Sequence, residues 1–190
     1  MLKNLTALIT GANGGIGKKI IEVFSQNEAD IIACIRKDNN EFEKFCRDIE
    51  SKNKNKIKIL AFDFNDDKKL DLNLENISKN FKKIDILVNN AGEVTNELYL
   101  MMTEKKLREI YEINFFAQSK IMKQVIKKML INKSGSIINL ATSSVFEANI
   151  GKSAYASSKA ALISLSEVIS REVGRNNVRV NVVSPGLTNT

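Results

Sequence analysis

"LTALITGANGGIGKK", from Leu5 to Lys19, decides the fold. Its first six residues are a short apolar run of strand length, and its end opens an amphipathic helical pattern. Gly11, Gly15 and Gly17 stand between the two. Glycines at a strand-to-helix turn let backbone amides close on a pyrophosphate at the helix N-terminus. A plain tight turn uses glycine as well, so the triplet alone leaves both readings open.

The same alternation runs outward from this stretch. Further apolar runs lie at 30–35, 56–62, 84–90, 136–142 and 178–184, and helical patterns at 15–28, 39–54, 67–82, 104–131 and 153–175. Several of the runs are apolar throughout, as strands buried on both faces are. Strand and helix in turn predict an α/β fold: a Rossmann-type doubly wound parallel sheet with helices on both faces and right-handed connections. There is no internal repeat, no Pro/Gly-rich linker and one proline, Pro185, so residues 1–190 read as a single dinucleotide-binding domain.

Composition narrows the chemistry. The 190 residues are 43% hydrophobic, enough for one substantial core, and the formal charge of +7 is spread among Asp and Glu along the chain. Most of these cations read as solvated faces, and without a recognisable nucleic-acid module no DNA or RNA partner is expected. Cys34 and Cys46 form no CxxC pair and have no histidine beside them, so no metal site is expected. No run of about 18 apolar residues is present, and "MLKNLTALIT" reaches glycine too soon for a secretion signal, which predicts a cytoplasmic protein without a membrane partner. With no histidine, Ser-His-Asp chemistry is excluded and proton transfer falls to Tyr, Lys, Asp, Glu or a thiol.

Tyr155 and Lys159 are four apart, so on a helix they share a face and their tips can converge. An ammonium beside a phenol favours the phenolate and makes tyrosine a usable acid or base. At the end of the second strand, Arg36 and Lys37 favour NADP(H), whose 2'-phosphate a cation neutralises. Asp38 close behind keeps NAD(H) open.

Taken in order, these residues resemble the short-chain dehydrogenase/reductases. The resemblance covers the whole chain: Thr10-Gly11-x-x-x-Gly15-x-Gly17, Asp63 after the third strand, Asn89-Asn90-Ala91-Gly92 after the fourth, Asn114 in the long helix, Tyr155-x-x-x-Lys159, and Pro185-Gly186 after the sixth. It implies an NAD(P)-dependent enzyme acting on CH-OH/C=O groups. Tyr155 would exchange a proton with the substrate oxygen, Lys159 would hold the cofactor ribose and acidify the tyrosine, and Asn114 would position a water of the proton relay. The cofactor would lie along Gly11, Asn13, Gly15, Ile16, Gly17, Arg36, Asp63, Phe64, Asn90, Ala91, Gly92, Pro185, Gly186, Thr188 and Thr190, with Tyr155 and Lys159.

Two departures bear on activity. The family's active-site serine falls on Thr142, whose hydroxyl can still bond a carbonyl oxygen while its methyl narrows the pocket. If the strand stays extended there, Ser144 lies on the same side as a reserve and Ser143 faces away. Family members also continue past "PGLTNT", so the resemblance implies that their C-terminal segment is absent from this sequence.

Within the family, residues 89–126 look most like the 3-oxoacyl carrier-protein reductases of fatty-acid biosynthesis, implying a 3-oxoacyl thioester substrate, an acidic acyl carrier protein as partner, and Lys133 and Arg175 as cations toward it. A sugar, polyol or secondary-alcohol dehydrogenase and a catalytically weak NADP-binding interaction protein stay open. The helices around 104–131 and 153–175 carry more apolar positions than one sheet-facing stripe uses, which with the resemblance predicts a homodimer or homotetramer.

Overall fold

Thr6–Thr10, Asp30–Ile35 and Ile86–Asn89 are stretches in which β-branched and other apolar residues leave almost no polar face, and the computed structural model, which describes residues 1–188, buries them in the middle of the molecule, whereas Ile57–Ala61 at the sheet edge stays partly exposed. β1 (Thr6–Thr10), β2 (Asp30–Ile35), β3 (Ile57–Ala61), β4 (Ile86–Asn89), β5 (Gly135–Leu140) and β6 (Val178–Val183) form one sheet. Its order is β3-β2-β1-β4-β5-β6, and every pair is parallel. In register, Ala7 faces Ile31 on one side and Ile86 on the other, so β1 is central.

Parallel neighbours need crossovers, and the amphipathic stretches supply them. α1 (Gly15–Gln26) and α2 (Asn40–Lys52) cover one face, where Ile21, Phe42 and Cys46 pack on Ala7, Ile9, Ala33 and Val88. α3 (Asp67–Asn80), α4 (Glu104–Tyr111), α5 (Ala117–Asn132) and α7 (Ser153–Val173) lie on the other side. There Leu70, Leu74, Ile121, Val125 and Val173 meet Leu8, Ile32, Leu87 and Val180. A short α6 (Ser144–Glu147) follows β5. Asn39, Asp66 and Thr103 cap α2, α3 and α4 by accepting from the backbone N–H three residues on. α1 has no side-chain cap and no acidic residue in its first turn. Its positive end is therefore uncompensated by the protein.

The predicted elements agree with these to within a few residues at their ends, and two local differences matter. The helical pattern at 104–131 is interrupted: Glu112–Phe116 forms a wider π turn between α4 and α5, with Asn114 in it. The run at 136–142 leaves the sheet at Leu140, and α6 starts at Ser144 with Ser143 already helical, so Ser143 and Ser144 are not extended. Thr190 lies outside the described residues.

Strand order reverses between β1 and β4, and a crevice opens there at the carboxyl ends of the strands. No described helix is long and apolar enough to cross a membrane, and no group of His, Cys, Asp and Glu among the described residues could hold a metal ion.

Candidate active site

The crevice is built from the loops that leave β1 and β4. Gly11 takes φ +60, a left-handed conformation that costs glycine nothing, and a Cβ on it would stand 2.8 Å from the Ala91 Cα. Gly17 lies underneath, where a Cβ would stand 2.8 Å from the Cα of Ala12. The first turn of α1 thereby packs directly on the loop.

Side chains from outside the loop lock it. Thr10 Oγ1 accepts from the N–H groups of Asn90 and Ala91, each at 3.0 Å. The Asn90 amide donates to the carbonyls of Thr10 at 3.1 Å and Gly11 at 3.0 Å. Asn90 is thus a brace between the two loops as well as a lining residue. The Gln118 amide, on α5, donates to the Ala91 carbonyl.

Two cavities open from this frame. One, of about 340 Å³, lies toward β2 and β3 and is lined by Gly11, Asn13, Arg36, Asp63, Phe64 and Gly92, with Ile113 and Glu93 also in its wall. Arg36 and Asp63 meet across it at 3.0 Å. The bond from Arg36 to the Asp63 carboxylate holds the guanidinium above its ordinary range. Burial pushes the Asp63 carboxyl up, but bonds from the Asn65 N–H and Arg36 outweigh this and hold it below the usual carboxylate range. Glu93 is taken by Lys106 at 2.6 Å.

The second cavity, of about 160 Å³, lies toward β5 and β6. Ile16, Asn90, Gly92, Thr142, Tyr155, Lys159, Pro185, Gly186 and Thr188 all line it. The i, i+4 pair on α7 therefore does converge on one space. Lys159 is 2% exposed, and its Nζ donates to the Leu140 carbonyl at 2.7 Å. Burial lowers its pKa from 10.5 to about 8. Thr142 Oγ1 accepts from the Ser144 N–H at 3.2 Å, which leaves the Thr142 hydroxyl proton free to donate. The reserve candidate Ser144 does not line the cavity; its hydroxyl accepts from Asn149 at 3.4 Å. The backbone turns into α6 instead of staying extended, so the condition under which Ser144 would share a side with Thr142 is not met and alternation no longer sets which side chain faces inward. The loop after β6 is tied in by the Ser143 N–H, which donates to the Pro185 carbonyl.

Asn114 is fully buried and its side chain is fully used. Its Oδ1 accepts from the Glu93 N–H at 2.8 Å, and its Nδ2 donates to the Glu93 carbonyl at 3.0 Å and to Ser158 Oγ at 3.1 Å. It pins the segment after Gly92 to α7. Gly15 and Gly17 line neither cavity; Gly17 shapes the site by letting α1 pack on the loop.

Sequence reasoning missed Asn139 and Ser166, whose bond at 2.7 Å in the core fixes α7 to β5; Asn89 of the Asn-Asn-Ala-Gly motif donates to Asn139 at 2.8 Å. The only signal of Asn139 and Ser166 was polarity inside apolar runs. Lys152 was also missed; its ammonium stands 5.9 Å from the centre of the Tyr155 ring.

The buried Lys159 gives stability a pH dependence. The unfolded lysine binds its proton up to about 10.5, whereas the folded one releases it near 8, so raising the pH through that window favours folding. The penalty is complete below 8 and gone above 10.5. We expect Lys159→Met to gain on the order of 3 kcal/mol over wild type at pH 7.5 and to lose that advantage at pH 10.5 in urea unfolding. Parallel stability curves would contradict it.

A family model described as short chain dehydrogenase matches residues 5–190. The chain is 34% identical over 184 residues to the 3-oxoacyl-[acyl-carrier-protein] reductase FabG of Salmonella typhimurium, covering 97% of this chain and 73% of that protein. It is 29% identical to that of Chlamydia muridarum, over 100% and 76%. Among solved structures, one described as a putative betaketoacyl-ACP reductase superposes with a TM-score of 0.88 at 30% identity, over 100% and 76% of the two chains. An NAD+-bound xylitol dehydrogenase gives 0.90 at 25%, over 100% and 72%.

Proposed function

The chain belongs to the short-chain dehydrogenase family, a family of oxidoreductases acting on CH-OH/C=O groups, and from that premise we propose that it reduces a 3-oxoacyl thioester to the secondary alcohol with NADPH. The observation that carries the reading is the cavity in which Thr142, Tyr155 and Lys159 come together against the glycine loop. A reduced nicotinamide bound there supplies a hydride.

The residues present fit such a cofactor. The close approach of the Gly11 loop to Ala91, the uncapped N-terminus of α1 and the run of lining backbone from Gly11 to Gly92 form a groove that side chains would fill. Arg36 would take the 2'-phosphate, Asp63 and Phe64 the adenine, Asn13 and Ile16 the pyrophosphate, and Lys159 the nicotinamide ribose.

The protein's own groups do the rest. The free hydroxyl proton of Thr142 and that of Tyr155 point a substrate oxygen into the cavity, and both bonds strengthen as that oxygen gains charge. Tyr155 gives up its proton to it. The phenolate left behind is offset by the Lys159 ammonium, held in place by the Leu140 carbonyl. Asn114, through Glu93 and Ser158, keeps the two walls of the cavity in register. Thr142→Ala should lower kcat by about a hundredfold, and Ser143→Ala, outside the cavity, by less than about threefold; the reverse pattern in steady-state kinetics would displace Thr142 from the site.

For the cofactor, Arg36→Asp should weaken NADPH by about ten- to a hundredfold and NADH far less, the loss of one charge-assisted contact. An unchanged preference would refute the assignment. For the substrate, loss of NADPH absorbance with a 3-oxoacyl thioester should exceed that with sugar ketones. The opposite order would favour the second reading, a polyol or sugar dehydrogenase, which the superposition with xylitol dehydrogenase supports.

Lys133 and Arg175, the cations expected to meet a carrier protein, precede β5 and β6, at the end of the sheet away from the cavity. Six residues of strand put them about 20 Å from it. Within one chain they therefore stand well away from the cavity, and a role for them would have the carrier protein bind at that distance or a second copy of the chain bring them nearer. The exposed Tyr99, Phe116 and Val168 on the α4, α5 and α7 side are compatible with a homo-oligomer.

A further inference from the structure

Arg36 enters its cavity with one part of the guanidinium already committed. Its Nε donates to Asp63 Oδ2 at 3.0 Å, while Asp63 Oδ1 accepts from the Asn65 N–H at 3.0 Å. The carboxylate is thus anchored to backbone on one oxygen and grips the arginine with the other. Among the described residues this is the only side-chain bond that Arg36 makes, and its terminal amino groups have no protein partner. The other carboxylate of the cavity, Glu93, is occupied by Lys106. With its side chain 64% exposed, Arg36 would otherwise sample many rotamers.

A guanidinium fixed through Nε presents its two terminal nitrogens as a fork, which matches two oxygens of a phosphate. We propose that Asp63 is a positioning residue for anion recognition: it holds Arg36 so that the free fork faces a phosphate on the adenosine ribose. This rests on the NADP(H) reading above. It also sets two effects of Asp63 against each other. As a bare negative charge in the cavity wall, Asp63 repels a phosphate, and its removal should strengthen phosphate binding. As the holder of Arg36, its removal should weaken it. The signs are opposite.

Titration calorimetry with 2',5'-ADP and 5'-AMP separates the two. The ratio of their affinities cancels any contact that Asp63 makes to the adenine, which both share. Wild type should prefer 2',5'-ADP. Asp63→Ala should reduce that preference by about fivefold, the upper end for one exposed ion pair, and Asp63→Asn, which keeps an oxygen for Nε, should lose less. A ratio that rises or stays unchanged in Asp63→Ala, or falls equally in both variants, overturns the proposal while the preference of wild type still supports NADP(H). No preference in wild type overturns both. Unchanged melting temperatures of the variants confirm that the ratio reports the site.

Discussion

Tyr155→Phe should lower kcat for carbonyl reduction by about a thousandfold while cofactor affinity stays within a few-fold of wild type. The substitution removes one oxygen and leaves the ring. The phenylalanine still fills its half-buried place on α7, and Lys159 keeps its bond to the Leu140 carbonyl. What disappears is the proton donor of a cavity whose remaining lining, among the described residues, contains only one other ionisable side chain, Lys159. With no histidine anywhere in the chain, no neighbouring imidazole can substitute. Steady-state NADPH oxidation gives kcat, and fluorescence titration gives the affinity. Full activity in the variant would take Tyr155 out of the mechanism.

Gly17→Ala should damage both fold and cofactor binding. The new methyl would sit 2.8 Å from the Cα and the carbonyl oxygen of Ala12, and these are backbone atoms that cannot swing aside as a side-chain tip does. Relief requires α1 to move off the loop, and the loop is held from its other side by Thr10 and Asn90. A loss of about 2–3 kcal/mol of stability is expected, together with a fall in cofactor affinity of about a hundredfold as the loop amides leave their positions. Thermal unfolding and calorimetry measure the two. An unperturbed melting temperature with wild-type affinity would mean that the packing of α1 on the loop is not what shapes the groove.

The fold was legible because its signals are local. Apolar runs such as "DIIACI" need both faces covered, and the amphipathic stretches between them have the length of crossovers. Tyr155 and Lys159 were legible because helix geometry fixes where residues four apart must point. The π turn at Glu112–Phe116 was not, since nothing in the periodicity of 104–131 separates an insertion from a continuous helix. Thr142 could be placed only by its offset from Tyr155: the backbone leaves the strand two residues earlier than its polarity pattern suggests, which removes the alternation that would have made Ser144 its equivalent. Least visible were the tertiary bonds. Arg36 and Asp63 are 27 residues apart, Asn114 and Ser158 are 44 apart, and each pairing exists only because the parallel sheet brings the ends of distant strands and helices together. Asn90 shows the same limit in another way: its place in the crevice was expected, but its use as a brace for Thr10 and Gly11 depends on β1 and β4 being neighbours.

The most direct measurement is a crystal structure of the protein with NADP+ bound. The Tyr155 hydroxyl should face C4 of the nicotinamide across a gap the size of one carbonyl group, with Thr142 on the same side and Lys159 at the ribose. A nicotinamide seated outside the cavity of Thr142 and Tyr155, or a Tyr155 hydroxyl turned away from the ring with no space between them, would contradict proton donation from Tyr155.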